Sequence, residues 1–350
     1  MMDFVADPDA VFEQHGRAAE ARRVLLEAMN ATPPDATAIL LSGGLDTAII
    51  AQAPSRHRFS TAITVSCGQD ANSPAHDLPY AKAIAMKESL EHHIVSIPDT
   101  LAAMDPGSQG ALHLAIQTLQ TFDPMELRGG VAVAMALLKA KALGMTAVVT
   151  GDGADEMFAG YSFLVDQPPE KLQAWRDRAA QHMKFCATTL GAALGISVYQ
   201  PYIQPNVIAF ALTCTKDDLV GSHDGIRHGK FVLRAAFPEA HSRWRAKIPL
   251  ETGAGLTPVG TMFQERAQDF EQEKQRVFEE DAIVLRDAEH LHYYKVFRSL
   301  FASKGDDGIL RWTCKAVRFG SDPCIQCGFQ LERPDQLFCK TCGAWPARST

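Results

Sequence analysis

The run Ala38-Ile39-Leu40-Leu41-Ser42-Gly43-Gly44-Leu45-Asp46-Thr47-Ala48-Ile49-Ile50 decides how the rest of the chain is read. A short apolar run, two adjacent glycines and a second apolar stretch predict strand, tight turn and helix. Adjacent glycines let backbone amides turn toward an anion, and the helix that follows presents its positive N-terminus to the same spot. Ser42 and Thr47 add hydroxyl donors. This is not the Gly-x-x-x-x-Gly-Lys-Ser/Thr loop, because no lysine follows the glycines. Asp46 would repel a bare phosphate, so it makes more sense as a ligand for magnesium bridging phosphates. The bland use of the same residues is a capped strand-to-helix turn.

Outward from this run the pattern repeats. Residues 59–65 predict a strand, 78–90 a helix, 93–97 a strand, 125–143 a long helix closed by Gly144, and 147–150 a short buried strand. Short apolar strands alternating with helices predict an α/β fold with a parallel sheet covered on both faces, with ligands at the carboxyl ends of the strands. Upstream, Asp7-Pro8 is a helix-start pair, a break falls near Gly16, and Thr32-Pro33-Pro34-Asp35 stops the helix. From about Glu170 to Gly305 the pattern is mostly helical. A loop is expected over Ser303–Gly308 and a linker over Phe319–Pro323. The expected domains are a helical segment at 1–36, the α/β domain that carries this run at 37–320, and a small cysteine module at 321–350.

A second string, Val148-Val149-Thr150-Gly151-Asp152-Gly153-Ala154-Asp155-Glu156-Met157-Phe158-Ala159-Gly160-Tyr161, runs from a buried strand into an acidic loop. Carboxylates so dense at the end of a buried strand are costly unless cations are present, and magnesium suits them. A solvated acidic turn is the alternative. Together the two strings resemble the asparagine synthase family of the pyrophosphatase-loop ATP-hydrolysing fold. That family carries Ser-Gly-Gly-Leu-Asp-Ser/Thr after its first strand and Gly-Glu/Asp-Gly-Ser/Ala-Asp-Glu-x-Phe-x-Gly-Tyr farther on. A third segment, Lys230-Phe231-Val232-Leu233-Arg234 followed by Arg243-Trp244-Arg245-Ala246-Lys247, is similar to the family's Lys-x-x-Leu-Arg … Lys … Gly pattern.

The resemblance, which runs from about Ala38 to Thr261, implies roles. Lys247 is then the catalytic lysine, with Arg245 beside it, and Asp152 acts near the acyl acceptor. Leu41, Val65, Thr150 and Gly151 line the AMP moiety, with Ser42, Gly43, Gly44 and Thr47 around the phosphates. Asp46 and Asp155 hold magnesium. Asp123-Pro124-Met125-Glu126-Leu127 is similar to the family's substrate segment Pro-Met-Tyr-Leu, with Glu126 in place of the aromatic. Tyr199-Gln200-Pro201-Tyr202-Ile203-Gln204 stands where the family has Arg-x-Pro-Phe-Leu-Asp, without the arginine and aspartate. The family's glutamine-hydrolysing domain starts with a cysteine nucleophile, whereas this chain starts Met1-Met2-Asp3. The expected nitrogen donor is therefore free ammonia, an amine, or ammonia from another subunit.

The last 27 residues hold Cys324, Cys327, Cys339 and Cys342 in two Cys-x-x-Cys-Gly knuckles with eleven residues between them. Paired spacing of this kind predicts a closed tetrathiolate zinc site; two redox pairs or an iron–sulfur site are the alternatives. Lys340, Arg333, Arg348 and Phe338 form either a small basic and aromatic patch or an ordinary solvated face. Cys67, Cys186, Cys214 and Cys314 are scattered, and His92-His93 and His290-x-His292 read as packing or surface residues.

With 350 residues, 46% hydrophobic and 21% charged, the chain can pack a normal core, so global disorder is excluded. Its net charge of −7 argues against a general nucleic-acid binder. No stretch approaches the ~20 apolar residues of a membrane span, and the acidic start has no signal-peptide core, so a cytoplasmic protein is expected. The expected activity is an ATP-, Mg2+- and Zn2+-containing ligase that adenylates a carboxylate, releases pyrophosphate and forms an amide with ammonia or an amine. It allows a homodimer, and the zinc ribbon offers a docking point for an ammonia-supplying subunit or a macromolecule. The competing reading is an enzyme that adenylates a tRNA base, with the ribbon docking the RNA.

Overall fold

A computed structural model describes residues 16–68, 76–105, 107, 110–305 and 310–349. The expected helix start at Asp7-Pro8 lies outside them. The described residues divide into two compact units. One is drawn from Met1–Ser66, Ala75–Val95 and Lys139–Ala254, the other from Cys67–Pro74, Ser96–Leu138 and Gly255–Thr350.

The first unit is built on a five-stranded parallel sheet flanked by helices, as the alternating pattern implies. Its strands are β1 (Ala38–Leu40), β2 (Thr61–Cys67), β3 (Glu91–Ile97), β4 (Ala147–Val149) and β5 (Ser197–Tyr199), in the order β3-β2-β1-β4-β5. Ala38 is in register with Thr61 of β2 on one side and with Val148 of β4 on the other. Every residue of β2 and β4 is buried, which is why both read as continuous apolar or small-residue runs rather than alternating ones. The order reverses at β1. The chain leaves β1 toward β2 and later returns to β4 on its other side, and that opens a crevice between the carboxyl ends of β1 and β4. Both glycine-bearing strings follow those two strands. The core beneath them packs Leu25 and Met29 of the helix Ala18–Asn30 with Ile39, Ile49, Val149, Tyr202 and Phe237.

β5 adds a strand to the second half, which is otherwise mostly helical as expected. Ser197-Val198-Tyr199 is only three residues long, too short to show a two-residue period, and pairing with β4 makes it a strand. The same stretch also holds an antiparallel hairpin, Gly221–His223 with Ile226–His228.

The second unit has an aromatic core. Phe122 packs against Phe297 at 5.0 Å and Tyr294 at 5.3 Å between ring centroids, and Phe297 meets Trp312 at 5.9 Å. Phe329, inside the cysteine module, lies 5.8 Å from Phe297 and 5.4 Å from Trp312. The module therefore shares the unit's core. The expected linker over Phe319–Pro323 is bonded into it, with the Phe319 amide donating to Gly328 O at 2.7 Å. Ser303 and Lys304, expected in a loop, form a short strand with Leu310–Trp312. No described helix is long and apolar enough to cross a membrane.

Candidate active site

The turn after β1 has the shape its glycines require. Gly43 has φ +73°, and a Cβ there would come within 2.6 Å of the Ala81 amide and 2.9 Å of Asp77 O. Only glycine fits a backbone crowded on that side and held in the left-handed region. Ser242 Oγ donates to Gly43 O at 2.6 Å, and Ser42 Oγ accepts from the Gly44 amide at 3.2 Å. Thr47 Oγ1 lies 3.2 Å from Ser42 Oγ. Gly44 then caps the helix Leu45–Gln52, with Asp46 in its first turn.

The acidic loop meets this turn across the crevice. A Cβ on Gly151 would lie 3.1 Å from both Asp46 Cβ and Thr47 Cγ2. The carboxylates of Asp46 and Asp155 converge on one cation. Lys230 Nζ is 2.7 and 2.6 Å from the two Asp46 oxygens and 2.7 Å from Asp155 Oδ1. Lys247 Nζ approaches Asp155 Oδ2 at 3.3 Å from the more open side, its side chain 30% exposed against 4% for Lys230. Burial works against charge in Asp46, Asp155 and Lys230. It raises the Asp46 carboxyl above its ordinary value even with Lys230 beside it. Asp155 is also buried, but Lys230 and Lys247 together hold it below. Burial likewise opposes the Lys230 ammonium, yet Asp155 and Asp46 outweigh it and hold its pKa above 10.5.

Two glycines make this convergence possible. A Cβ on Gly160 would overlap Asp155 Oδ1 and Lys230 Cε, and one on Gly229 would overlap Ala159 O. The bare backbones touch instead, and the Lys230 amide donates to Phe158 O at 2.9 Å. Lys230 itself takes φ +57°, a conformation that costs a non-glycine residue about 1–2 kcal/mol. Such strain persists where the surroundings impose it, here where Lys230 makes two buried ion pairs.

Asp152 stands apart from the cation cluster. Its Oδ2 accepts from Thr150 Oγ1 at 2.7 Å and from Gln200 Nε2 at 2.8 Å, and burial raises its pKa despite both donors. Tyr202 OH donates to Asp46 O at 3.0 Å, and a Cβ on Gly153 would overlap Ile203. The string Tyr199–Gln204, although it lacks the arginine and aspartate, thus borders the acidic loop. Tyr161 OH donates to Glu156 Oε1 at 2.6 Å.

Arg245 does not join the cluster. It pairs with Asp77 at 2.7 Å, and its guanidinium lies 4.2 Å above the Tyr80 ring. Buried Arg234 shapes the same segment by donating to the carbonyls of Gly229 at 2.9 Å, Arg243, and Arg245 at 3.3 Å. Leu41 and Val65 are buried at the ends of β1 and β2. Sequence reasoning assigned no role to Lys230, Gln200, Tyr202, Arg234 or Asp77. For Lys230 the signal was available, since it opens the Lys-x-x-Leu-Arg string.

In the second unit, the Sγ atoms of Cys324, Cys327, Cys339 and Cys342 all lie within 4.8 Å of one another. Cys324–Cys342 and Cys327–Cys339 are 3.8 and 3.7 Å apart. A tetrahedron of ~2.3 Å metal–sulfur bonds has edges of about 3.8 Å, whereas a disulfide needs ~2.05 Å. The four buried sulfurs can hold a metal ion. The basic residues of the module are neutralised within it: Lys340 by Glu332 at 2.6 Å, Arg333 by Asp335 at 3.3 Å, and Arg348 by Asp322. Cys67 is buried, which pushes its thiol up to about 12 and leaves it a poor nucleophile. His92 Nε2 pairs with Thr64 Oγ1 at 2.8 Å, and His290 stacks on Phe122, as packing residues do.

A glycine turn and an acidic loop face each other across the switch point of a parallel α/β sheet, the place where such sheets bind ligands. Comparison with known proteins carries this further. Residues 22–185 match the sequence model of the family described as asparagine synthase. The chain is 26% identical to asparagine synthetase [glutamine-hydrolyzing] 1 of Arabidopsis thaliana over 66% of its own length and 42% of that protein's. It is 27% identical to the Zea mays asparagine synthetase [glutamine-hydrolyzing], over 62% of the chain and 39% of that protein. It is 24% identical to a probable asparagine synthetase [glutamine-hydrolyzing] of Schizosaccharomyces pombe, over 79% of the chain and 54% of that protein. The match thus spans about half, or less, of the length of these relatives.

Proposed function

We propose that this chain is an ATP-dependent ligase that adenylates a carboxylate, releases pyrophosphate and transfers the acyl group to ammonia or an amine. The observation that carries the reading is the meeting of Asp46, Asp155, Lys230 and Lys247 beside the Ser42–Thr47 turn at the β1/β4 crevice. A cluster of two carboxylates and two ammonium groups has no structural need to stand at a sheet's ligand-binding edge. It suits a ligand that brings both phosphate and a divalent ion.

Asp46 and Asp155 direct three oxygens at the Lys230 ammonium, and Asp155 Oδ2 faces the more open side beside Lys247; carboxylates of this kind, the hard oxygen ligands magnesium prefers, would hold a magnesium ion that neutralises phosphate charge when bound. Ser42, Gly43, Gly44 and Thr47 then receive the phosphates, and Leu41, Val65, Thr150 and Gly151 border the AMP moiety. Lys247, loosely paired and partly exposed, is free to follow charge that develops at the attacked centre and on pyrophosphate. Arg245, anchored on Asp77, serves as a positioning residue for the Lys247 segment. Asp152, its carboxyl raised by burial, is suited to manage a proton near the attacking nitrogen. A zinc ion in the four-cysteine site and a cytoplasmic setting complete the reading.

Mass spectrometry of ATP and magnesium incubated with a panel of carboxylates, with and without ammonia, tests it. AMP, pyrophosphate and a trapped acyl-adenylate are expected. Production of ADP and phosphate instead, or no ATP consumption across the panel, would sink the proposal. Lys247→Ala should lower turnover by roughly 10²-fold or more while leaving ATP affinity nearly unchanged. Equal losses in both would make Lys247 a ground-state phosphate ligand.

A further inference from the structure

The second Cys-x-x-Cys knuckle is fastened to the segment that leads into the helix Pro124–Ala142. Thr121 Oγ1 donates to Lys340 O at 2.7 Å and lies 3.1 Å from Thr341 O. The Phe122 amide donates to Thr341 O at 2.8 Å. Gly343, directly after Cys342, is backed so closely on Asp123 that a Cβ there would overlap the carboxylate. Arg286 closes the arrangement by donating to Gly343 O at 2.6 Å and reaching Asp123 Oδ1 at 3.4 Å. Thr121, Phe122 and Asp123 are each no more than 2% exposed. The order then passes into the helix: the Asp123 amide donates to Thr121 Oγ1 at 3.0 Å, Asp123 Oδ1 accepts from the Met125 amide at 3.3 Å, and the Leu127 amide donates to Asp123 O at 3.0 Å.

Every one of these contacts to the knuckle uses a backbone carbonyl, or the glycine, between Cys339 and the end of its turn. Their positions depend on the turn being closed. A turn between two thiolates is held closed by the metal that both bind, and a four-thiolate segment this short loses its fold with the metal. From this we propose that the four-cysteine centre is a metal-dependent clamp. Its occupancy sets the placement of Thr121–Leu127, the segment that contains Asp123 and the first turn of the helix. The further step, that this placement governs recognition of the acyl or amine substrate, rests on the ligase reading above; the clamp itself does not.

Hydrogen exchange on the full-length chain tests the clamp without any enzymatic readout. The protein is compared with zinc bound, after stripping with a chelator, after zinc is restored, and as Thr121→Val with zinc bound. Stripping should speed exchange in peptides covering 122–128 by roughly tenfold or more, with restoration on adding zinc, while peptides covering 45–52 stay protected. Thr121→Val should hold one zinc ion as wild type does yet show part of the same loss at 122–128. Native protection at 122–128 in stripped protein whose 324–342 region exchanges freely would overturn the clamp. So would a Thr121→Val protein indistinguishable from wild type. Loss of protection at 45–52 together with 122–128 would also overturn it, because the metal would then brace the whole chain.

Discussion

Lys230 is the residue on which the candidate active site turns. Removing the cation leaves two buried carboxylates facing each other, and breaking a buried pair from one side costs about 3–5 kcal/mol. Lys230→Met should therefore lower the melting temperature sharply at neutral pH. The sign of the pH dependence follows from the charges. Without Lys230, Asp46 and Asp155 take up protons more readily in the folded than in the unfolded chain, so the deficit should shrink as pH falls toward 5. In the wild type the Lys230 pKa is raised above 10.5, so its stabilisation is fully present below that value and is lost as pH rises through the folded value. Melts of both proteins across pH check this. A deficit that does not change with pH would remove the electrostatic account. Asp46→Asn and Asp155→Asn each leave Lys230 one carboxylate, so each should cost less stability than Lys230→Met and keep a folded circular-dichroism spectrum while abolishing magnesium-dependent ATP consumption; full activity would dissociate them from the metal.

Among the elements, the two backbone strips 158–160 and 229–230 decide whether that lysine reaches its partners. Gly160 and Gly229 let them touch, so Gly160→Ala must push Lys230 away from Asp155. The expected outcome is a loss of stability of about 1–3 kcal/mol, as for overpacking, together with weakened magnesium–ATP binding measured calorimetrically. Unchanged binding would mean that the spacing of the strips is unimportant. Arg234 plays the matching role for the Lys247 segment. It collects the carbonyls of Gly229, Arg243 and Arg245, and Arg234→Met would strip all three of a donor. Each unsatisfied buried group costs about 1–3 kcal/mol. Turnover should fall with the displacement of Lys247, and a variant as stable and active as wild type would show that the segment holds itself.

For the molecule as a whole, the cysteine module is a structural member of the second unit. Phe329 lies in its aromatic core, the Val284 amide donates to Gln326 O at 2.8 Å, and Arg318 Nε donates to Cys327 O at 2.9 Å. Deleting residues from Asp322 onward removes these partners together with those of Thr121 and Arg286. The truncated chain should lose the cooperative melting of residues 96–138 and 255–321, followed by limited proteolysis, while the nucleotide motifs of the first unit keep measurable ATP binding. Unaltered protease resistance in 96–138 would make the module a separable appendage. The paired charges of Lys340, Arg333 and Arg348 leave this surface little free charge for a phosphate backbone, which weighs against the ribbon as an RNA dock.

The local chemistry was legible in the sequence. Glycines at Gly43 and Gly44, the apolar runs on either side, three carboxylates after a buried strand and paired cysteines are short-range signals, because turn geometry, strand burial and knuckle formation are settled within a few residues. Those signals led to the parallel sheet, the β1 and β4 edge and the four-cysteine cluster. Strand order, and with it the crevice, depended on β1 pairing with β4, more than 100 residues away, and β5, whose three residues have no period of their own, depended on pairing with β4 as well. The same holds for Lys230. Its place at the head of the Lys-x-x-Leu-Arg string was legible, but its role follows from its meeting with Asp46, 184 positions away, and nothing in the string shows that the lysine will be buried between two carboxylates. Arg245 is the converse: its place in a motif pointed to catalysis, and the fold gave its charge to Asp77. Long-range packing selects which charges are desolvated together, and desolvation is what turns ordinary charged residues into a site.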